Sequence, residues 1–241
     1  NAVAGTEANH LLFTAAANST IKLSGNQTYS ANFDGPGTLQ VTGTVVLDEA
    51  IGGTTDMGVL DVDGQITSTS TINPDILDLD GTIAAASSLI VDSTNALGGS
   101  ITTTGVTTLT GATTLTGNSS ITTTNAIVLF GGAVNGTDLD LTINSGTAAT
   151  NFVGIVGGAQ GVGAIALTGA LNLDAAITDA ESISVSLASD IGAAITTTGT
   201  AATTITLSDA ATLSAATVLT TANTNISLEE VNGAQTLTLV A

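Results

Sequence analysis

Val59-Leu60-Asp61-Val62-Asp63-Gly64-Gln65-Ile66 is the stretch that decides the fold, because it returns 17 residues later as Ile76-Leu77-Asp78-Leu79-Asp80-Gly81-Thr82-Ile83. Related phrases, in which an isoleucine precedes three threonines, follow at residues 101–105, 121–125 and 195–199. A repeat of roughly 20 residues made of short strands is typical of coils stacked on one another. The sequence therefore predicts an all-β protein with the architecture of a β-solenoid.

The composition supports an elongated column. Hydrophobic residues make up 43% of the 241 residues, but aromatic residues only 2%. A compact globule usually needs aromatic side chains to fill an irregular interior, whereas a solenoid stacks uniform aliphatic residues along a thin core. We therefore expect a core of Leu, Ile, Val and Ala. No Ala-rich stretch sustains a helical apolar stripe, so we expect almost no helix.

The chain divides into two regions within one elongated domain. Residues 38–241 carry the repeated strand text, and residues 1–37 are predicted to form an N-terminal cap or assembly region. The cap region contains most of the rare residue types, namely His10, Phe13, Lys22, Tyr29 and Phe33. The single histidine is expected to have a capping or surface role, because no serine and aspartate partners are recognisable by spacing.

The charge balance excludes several functions. One basic residue stands against 20 acidic ones, which gives a formal net charge of −19. No patch can neutralise phosphates, so nucleic acid and anionic membranes are not expected as partners. No apolar run approaches the ~20 residues of a membrane helix, so we expect no membrane insertion. Cysteine is absent, which removes disulfides and thiolate chemistry.

The repeated Asp pairs are the sharpest candidate site. In a strand, Leu60 and Val62 point inward while Asp61 and Asp63 point outward, and the same alternation applies to Asp78 and Asp80. If the 17-residue offset is one coil, the carboxylates stack in two ladders about 4.8 Å apart. A Ca²⁺ ion, which takes six to eight oxygen ligands, would turn this repulsion into a bridge.

Further ligands for such an ion are available at Asp56 and Asp75. The alternative is that these aspartates simply end strands and begin turns on a solvated face. In that case the protein needs no cofactor.

The last residues bear on assembly. Residues 236–241 read Thr-Leu-Thr-Leu-Val-Ala, an alternating and uncharged strand. A solenoid normally needs polar caps at its ends, because a terminal coil otherwise presents unpaired strand edges. Leu237, Leu239 and Val240 are therefore predicted assembly residues, which pair with the N-terminal region of the next copy. Such a head-to-tail contact generates an open filament.

Residues 111–124, 130–136 and 139–143, with a degenerate second copy at residues 152–158 and 165–171, carry a family resemblance. They resemble the repeat text of large secreted bacterial surface proteins, the filamentous-haemagglutinin-like and autotransporter-passenger-like β-strand-repeat proteins. The resemblance implies a right-handed parallel β-helix, export to the cell surface or beyond, and a role in adhesion or a biofilm matrix.

Three functions remain open from the sequence. The first is a self-assembling structural subunit of an extracellular filament. The second is an adhesin passenger fragment that presents a surface to a host or cell-surface glycan. The third, a β-helical polysaccharide-active enzyme working through Asp61 or Asp78, lacks the aromatic platforms and basic residues of sugar sites, so we expect no enzyme.

One alternative fold also remains open from the sequence. The same strands could form an antiparallel Greek-key sandwich with hairpin turns at Asn135-Gly136 and Asn232-Gly233.

Overall fold

The fold of the chain is a parallel β-solenoid of about 11 turns. The computed structural model describes residues 11–199, 203–222 and 224–241, and no helix occurs within them. Every strand pair in this part of the chain is parallel, which confirms the predicted solenoid and shows that the antiparallel sandwich is wrong. Asn135, a proposed hairpin position, instead ends a strand that lies parallel to Thr113–Leu115.

Each coil has three sides, which we call the first, second and third faces in chain order. The first face contains Leu11–Thr14, Ala31–Asp34, Thr71–Ile72, Ser88–Val91, Thr107–Leu109, Val128–Phe130, Ser189–Ile191, Ala211–Leu213 and Val231–Asn232. The second contains Thr20–Leu23, Thr38–Val41, Met57–Val62, Pro74–Leu79, Asn95–Leu97, Thr113–Leu115, Val134–Asn135, Ile195–Thr197, Thr217–Thr221 and Leu237–Val240. The third contains Gln27–Tyr29, Thr44–Leu47, Gln65–Ser68, Thr82–Ala86, Ser100–Thr103, Ser119–Thr123, Ile205–Leu207 and Ile226–Leu228.

Three long strands turn the corners without a break. Leu141–Phe152 and Val162–Leu173 run from the third face into the first, and Ile177–Val185 runs from the second face into the third. Isolated bridges at Ile51 and Val156 complete the remaining rungs. The corners absorb differences in coil length, so the register partners Asp61 and Asp78 are 17 residues apart while Thr197 and Thr221 are 24 apart.

The core consists of columns in which each inward side chain lies on the equivalent one of the coil below. One column on the second face begins at Ile21 and Leu39 and ends at Leu219 and Leu239. Apart from a few phenylalanines the buried residues are mostly aliphatic, as the composition predicts. Phe130 stacks on Phe152 at 5.1 Å between ring centroids.

Several buried hydroxyl and amide side chains in the columns form hydrogen bonds with their neighbours. Thr103 and Thr107 are both buried, and their hydroxyl oxygens lie 3.1 Å apart. Asn95 donates to the hydroxyl of Thr113 over 3.3 Å in the next coil. These pairs satisfy part of the polarity of a Thr-rich sequence inside the column.

The first coil lies within the predicted cap region. Its strands Leu11–Thr14, Thr20–Leu23 and Gln27–Tyr29 pair in parallel with the coil that follows. His10 lies outside the described residues, and the boundary at residue 37 stays a prediction. No helix among the described residues is long and apolar enough to cross a membrane.

A stack of glycines forms the corner between the second and third faces. A Cβ atom on Gly64 would collide with the carbonyl oxygen of Gly43, and one on Gly81 or Gly99 would collide with the carbonyl of the glycine one coil below. The backbones of successive coils therefore approach more closely here than any side chain permits. The glycine that closes the repeated phrase is required by this approach.

Replacing Gly81 by alanine is therefore expected to destabilise the column by about 1–3 kcal/mol, because the new methyl group forces the two coils apart. The matched control is Gly136→Ala, since a Cβ atom there would have no neighbour closer than 3.4 Å. Urea unfolding of both variants measures the difference. Equal stabilities would contradict the close backbone approach.

Candidate functional site

The structure stacks the predicted aspartates as the sequence suggests. Asp61 and Asp78 are register partners on the second face, one coil apart. The amide of Asp80 donates to the Val62 carbonyl, as that of Asp63 donates to Val41, so Asp63 and Asp80 also occupy equivalent positions in adjacent coils. We call these four residues the acidic ladders.

The neighbours of the acidic ladders are polar. Lys22 and Gln40 occupy the two rungs before Asp61 in the same outward row, and the Gln40 amide donates to Asp61 Oδ2 over 2.9 Å. On the other side of the pair, Ala96 follows Asp78. The row therefore changes from a cation to an amide and then to two stacked carboxylates.

Their surroundings raise the pKa of two of these carboxyl groups above the ordinary value of 3.8. For Asp61 the main cause is burial, followed by the charge of Asp63, while the Gln40 hydrogen bond and the more distant Lys22 act in the opposite direction. For Asp78 the causes are burial and then the charges of Asp80, Asp61 and Asp63. Both groups therefore hold their protons more tightly in the folded protein than in the unfolded chain.

This difference gives the stability a defined pH dependence. The folded protein takes up protons at a higher pH than the unfolded chain, so the unfolding free energy is expected to rise as the pH falls from 7 towards 4. The gain is lost again as the pH rises through the raised pKa values. The double substitution Asp61→Asn and Asp78→Asn is expected to stabilise the protein at pH 7 by a few tenths to ~1 kcal/mol, because it relieves stacked like charges. It is also expected to flatten this part of the pH profile.

The matched control removes two charges elsewhere, at Asp174 and Asp190. The register partners of Asp190 are Asn172 and Thr212, which are uncharged. Urea unfolding at pH 5 and pH 7 compares the two double variants. A control that flattens the profile as much as the ladder variant would show that only net charge matters.

A second acidic group lies at the corner between the first and second faces. Asp56, Asp75 and Asp92 each offer one carboxylate oxygen, and these oxygens lie within 4.8 Å of one another. The Asn73 amide donates to Asp56 Oδ1 over 2.7 Å. We call these three aspartates the corner cluster. Asp92 is the member missed in the sequence, although its 17-residue offset from Asp75 was a usable signal.

The corner cluster and the acidic ladders are separate groups. Asp56 and Asp75 stand at the start of second-face strands, whereas Asp63 and Asp80 follow the ends of those strands. The expected role of Asp56 and Asp75 as extra ligands therefore belongs to a group of its own with Asp92. Oxygen ligands lie about 2.3–2.6 Å from Ca²⁺, so carboxylates up to about 5 Å apart can share one ion.

The calcium site that the sequence predicts lies at the acidic ladders, and Ca²⁺ bound there is expected to stabilise the protein. At a concentration tenfold above its Kd, Ca²⁺ would add about 1.4 kcal/mol to the unfolding free energy. We expect the pair Asp78→Asn and Asp80→Asn to remove most of this gain. Thermal unfolding in CaCl₂, compared with NaCl at equal ionic strength, makes the measurement.

The pair Asp75→Asn and Asp92→Asn is the comparison. Loss of the gain in this variant alone would move the ion to the corner cluster. Identical melting curves in the two salts would support the alternative of a solvated acidic face and contradict a calcium site.

The predicted assembly residues lie at the exposed end of the column. Leu237–Val240 pairs with Thr217–Thr221 on one edge, and no described strand covers its other edge. Leu239 is 52% exposed, whereas its partner Leu219 in the coil below is 2% exposed. Val240 is also exposed, and Leu237 is half-buried against the core.

No protein-family model, curated protein or solved structure matches this chain. The chain is a β-solenoid, and no family is identified for it.

Proposed function

We propose that this chain is a non-catalytic structural subunit of an extracellular or cell-surface filament, in which columns join head to tail. The observation that supports this most directly is the core column that continues to an open end. Leu239 extends the same column as Leu219, but its far side faces solvent. Exposed aliphatic side chains beside an unpaired strand edge favour the addition of another strand.

The first coil offers a matching surface. Ile21 opens the same second-face column by lying on Leu39, and Leu11 and Leu12 on the first face are exposed. A second copy that places Ile21 against Leu239 would continue the column across the junction. Because the two contacting surfaces differ, the contact repeats without closing and produces a filament.

The charges at the C-terminal end favour head-to-tail contact. Glu229 and Glu230 lie in the last coil, at the corner between the third and first faces. Two C-terminal ends in contact would bring the glutamates of both copies together, whereas a head-to-tail contact keeps them apart. Electrostatic repulsion of this kind selects the orientation more than it adds affinity.

Several features agree with a place outside the cell. The exposed Lys22 is the one position where a trypsin-like protease would cleave, which suits a protein of a biofilm matrix. The proposed membership of the secreted bacterial surface-repeat proteins rests on the repeat text and agrees with the solenoid fold.

An adhesive rod is the second candidate. A shallow groove of about 260 Å³ lies on the second face and is lined by Ile76, Asp78, Thr94, Ala96, Ala112 and Thr114. The Asp78 carboxylate offers hydrogen-bond acceptors for sugar hydroxyls there. This candidate is a rod that stays monomeric and binds a host or cell-surface glycan through this groove.

Electron microscopy and sedimentation of the purified chain separate the two candidates. In a concentration series, we expect rods that lengthen in steps of about 58 Å, because the second-face column from Ile21 to Leu239 has 12 rungs of ~4.8 Å. Leu239→Asp is expected to raise the concentration needed for filaments by more than ~10-fold, because it buries an unpaired charge at the junction.

The control is Thr238→Asp on the same strand, where the side chain points to the outside of the column. It is expected to leave filaments intact. Monodisperse single rods of the unmodified protein at high concentration, both with and without Ca²⁺, would refute the filament and favour the adhesive rod.

A further inference from the structure

The third face carries two outward rows of side chains that differ from those of the other faces. Over nine successive coils every position in these rows is uncharged, and most are Ser or Thr. We call this surface the hydroxyl face. Its members are Thr44, Val46, Gln65, Thr67, Thr82, Ala84, Ser100, Thr102, Ser120, Thr122, Thr142, Asn144, Ala166, Thr168, Ser184, Ser186, Thr206 and Ser208.

The absence of charge from these eighteen positions is notable in a chain with a net charge of −19. The outward row of the second face contains Asp61 and Asp78, and that of the first face contains Asp190. Two copies that meet through either of those faces would press carboxylates together. Only the hydroxyl face lets two copies approach over nine coils without placing like charges opposite each other.

The geometry of this face suits contact between sheets. Its side chains are short and stand on a continuous parallel sheet, so a second sheet can approach to about 10 Å. Some of its polar groups already bond to one another, which lowers the desolvation penalty of contact. Thr82 and Ser100 hydroxyl oxygens lie 3.1 Å apart, and the Gln65 amide donates to Thr67 Oγ1 over 3.2 Å.

The area that two copies can bury between their hydroxyl faces indicates how strong the contact is. Nine rungs of ~4.8 Å and a width of three residues give a footprint of about 40 by 10 Å per copy. Two such footprints fall below roughly 1,200 Å², the range of weak and transient interfaces. If columns are joined head to tail, the first lateral contact holds the next ones at a high effective concentration, so many weak contacts together bind strongly.

We infer that a second copy of this chain covers the hydroxyl face, so that two columns pack side by side. The contact is weak between single copies. Lateral pairing of whole filaments rests on the proposed function, because it needs columns joined head to tail.

Cysteine trapping tests the face directly, because the chain has no cysteine of its own. Thr122 lies on the fifth of the nine rungs, so it lies at the same height as Thr122 of the second copy whether the two columns run parallel or antiparallel. We expect Thr122→Cys to form disulfide-linked dimers under diamide at least tenfold faster than the control Thr114→Cys. Thr114 lies on the second face, in the same coil as Thr122.

A charge on the face should abolish the trapping. Thr102→Glu, placed one rung from Thr122, is expected to slow dimer formation in the Thr122→Cys protein to the rate of the control. Thr114→Glu, a substitution with an exposed side chain on the second face, should leave the rate unchanged. Equal trapping at positions 122 and 114, or equal slowing by the two glutamates, would overturn the inference.

Repeating the trapping with Leu239→Asp present separates this inference from the proposed filament. Fast trapping in that background upholds the lateral contact even if no filament ever forms. Loss of trapping there, with folding retained, means that no lateral contact exists between single columns and overturns the inference, while leaving head-to-tail joining to its own test.

Discussion

Parallel, in-register stacking of one coil on the next is the constraint on which the rest of the structure depends. It places each side chain about 4.8 Å from the residue at the same position of the neighbouring coil. Where those residues are aliphatic, as in the third-face column from Val45 to Leu207, the result is a buried apolar core. Where they are aspartates, as at Asp61 and Asp78, the same constraint stacks carboxyl groups whose pKa values are raised first by burial and second by the charges of neighbouring ladder residues. The core and the acidic ladders therefore have one geometric cause.

The same constraint explains why the ends matter. An interior rung is covered on both sides, whereas Leu239 has a neighbour only below it. Extending a stack adds a contact of the kind that already holds every coil together, so no specialised interface is needed. At the sides of the column, charge determines how closely a second column can approach. Carboxylates line parts of the first and second faces, and the uncharged third face is where close approach of a second column is least opposed.

Much of the fold and the position of the acidic ladders could be predicted from the repeat alone. The alternation in residues 59–66 identifies Leu60 and Val62 as core and Asp61 and Asp63 as outward, and the 17-residue return sets their register. The repeat spacing does not predict which third-face residues lie in register, because the number of residues per coil varies along the chain. A register shift beside Ala85, which has a positive φ of 59°, and a turn at Gly146 realign the rungs there. Asp92 was missed because the residues around it do not repeat the Leu-Asp phrase of residues 60–64 and 77–81.

X-ray fibre diffraction from oriented filaments tests the central claim, that the column continues from one molecule into the next. If the solenoids join head to tail, the strands lie across the filament. The 4.8 Å reflection then falls on the meridian, with an axial subunit repeat of about 58 Å for 12 rungs. A 4.8 Å reflection on the equator would mean that the columns lie across the filament axis, and it would contradict the account.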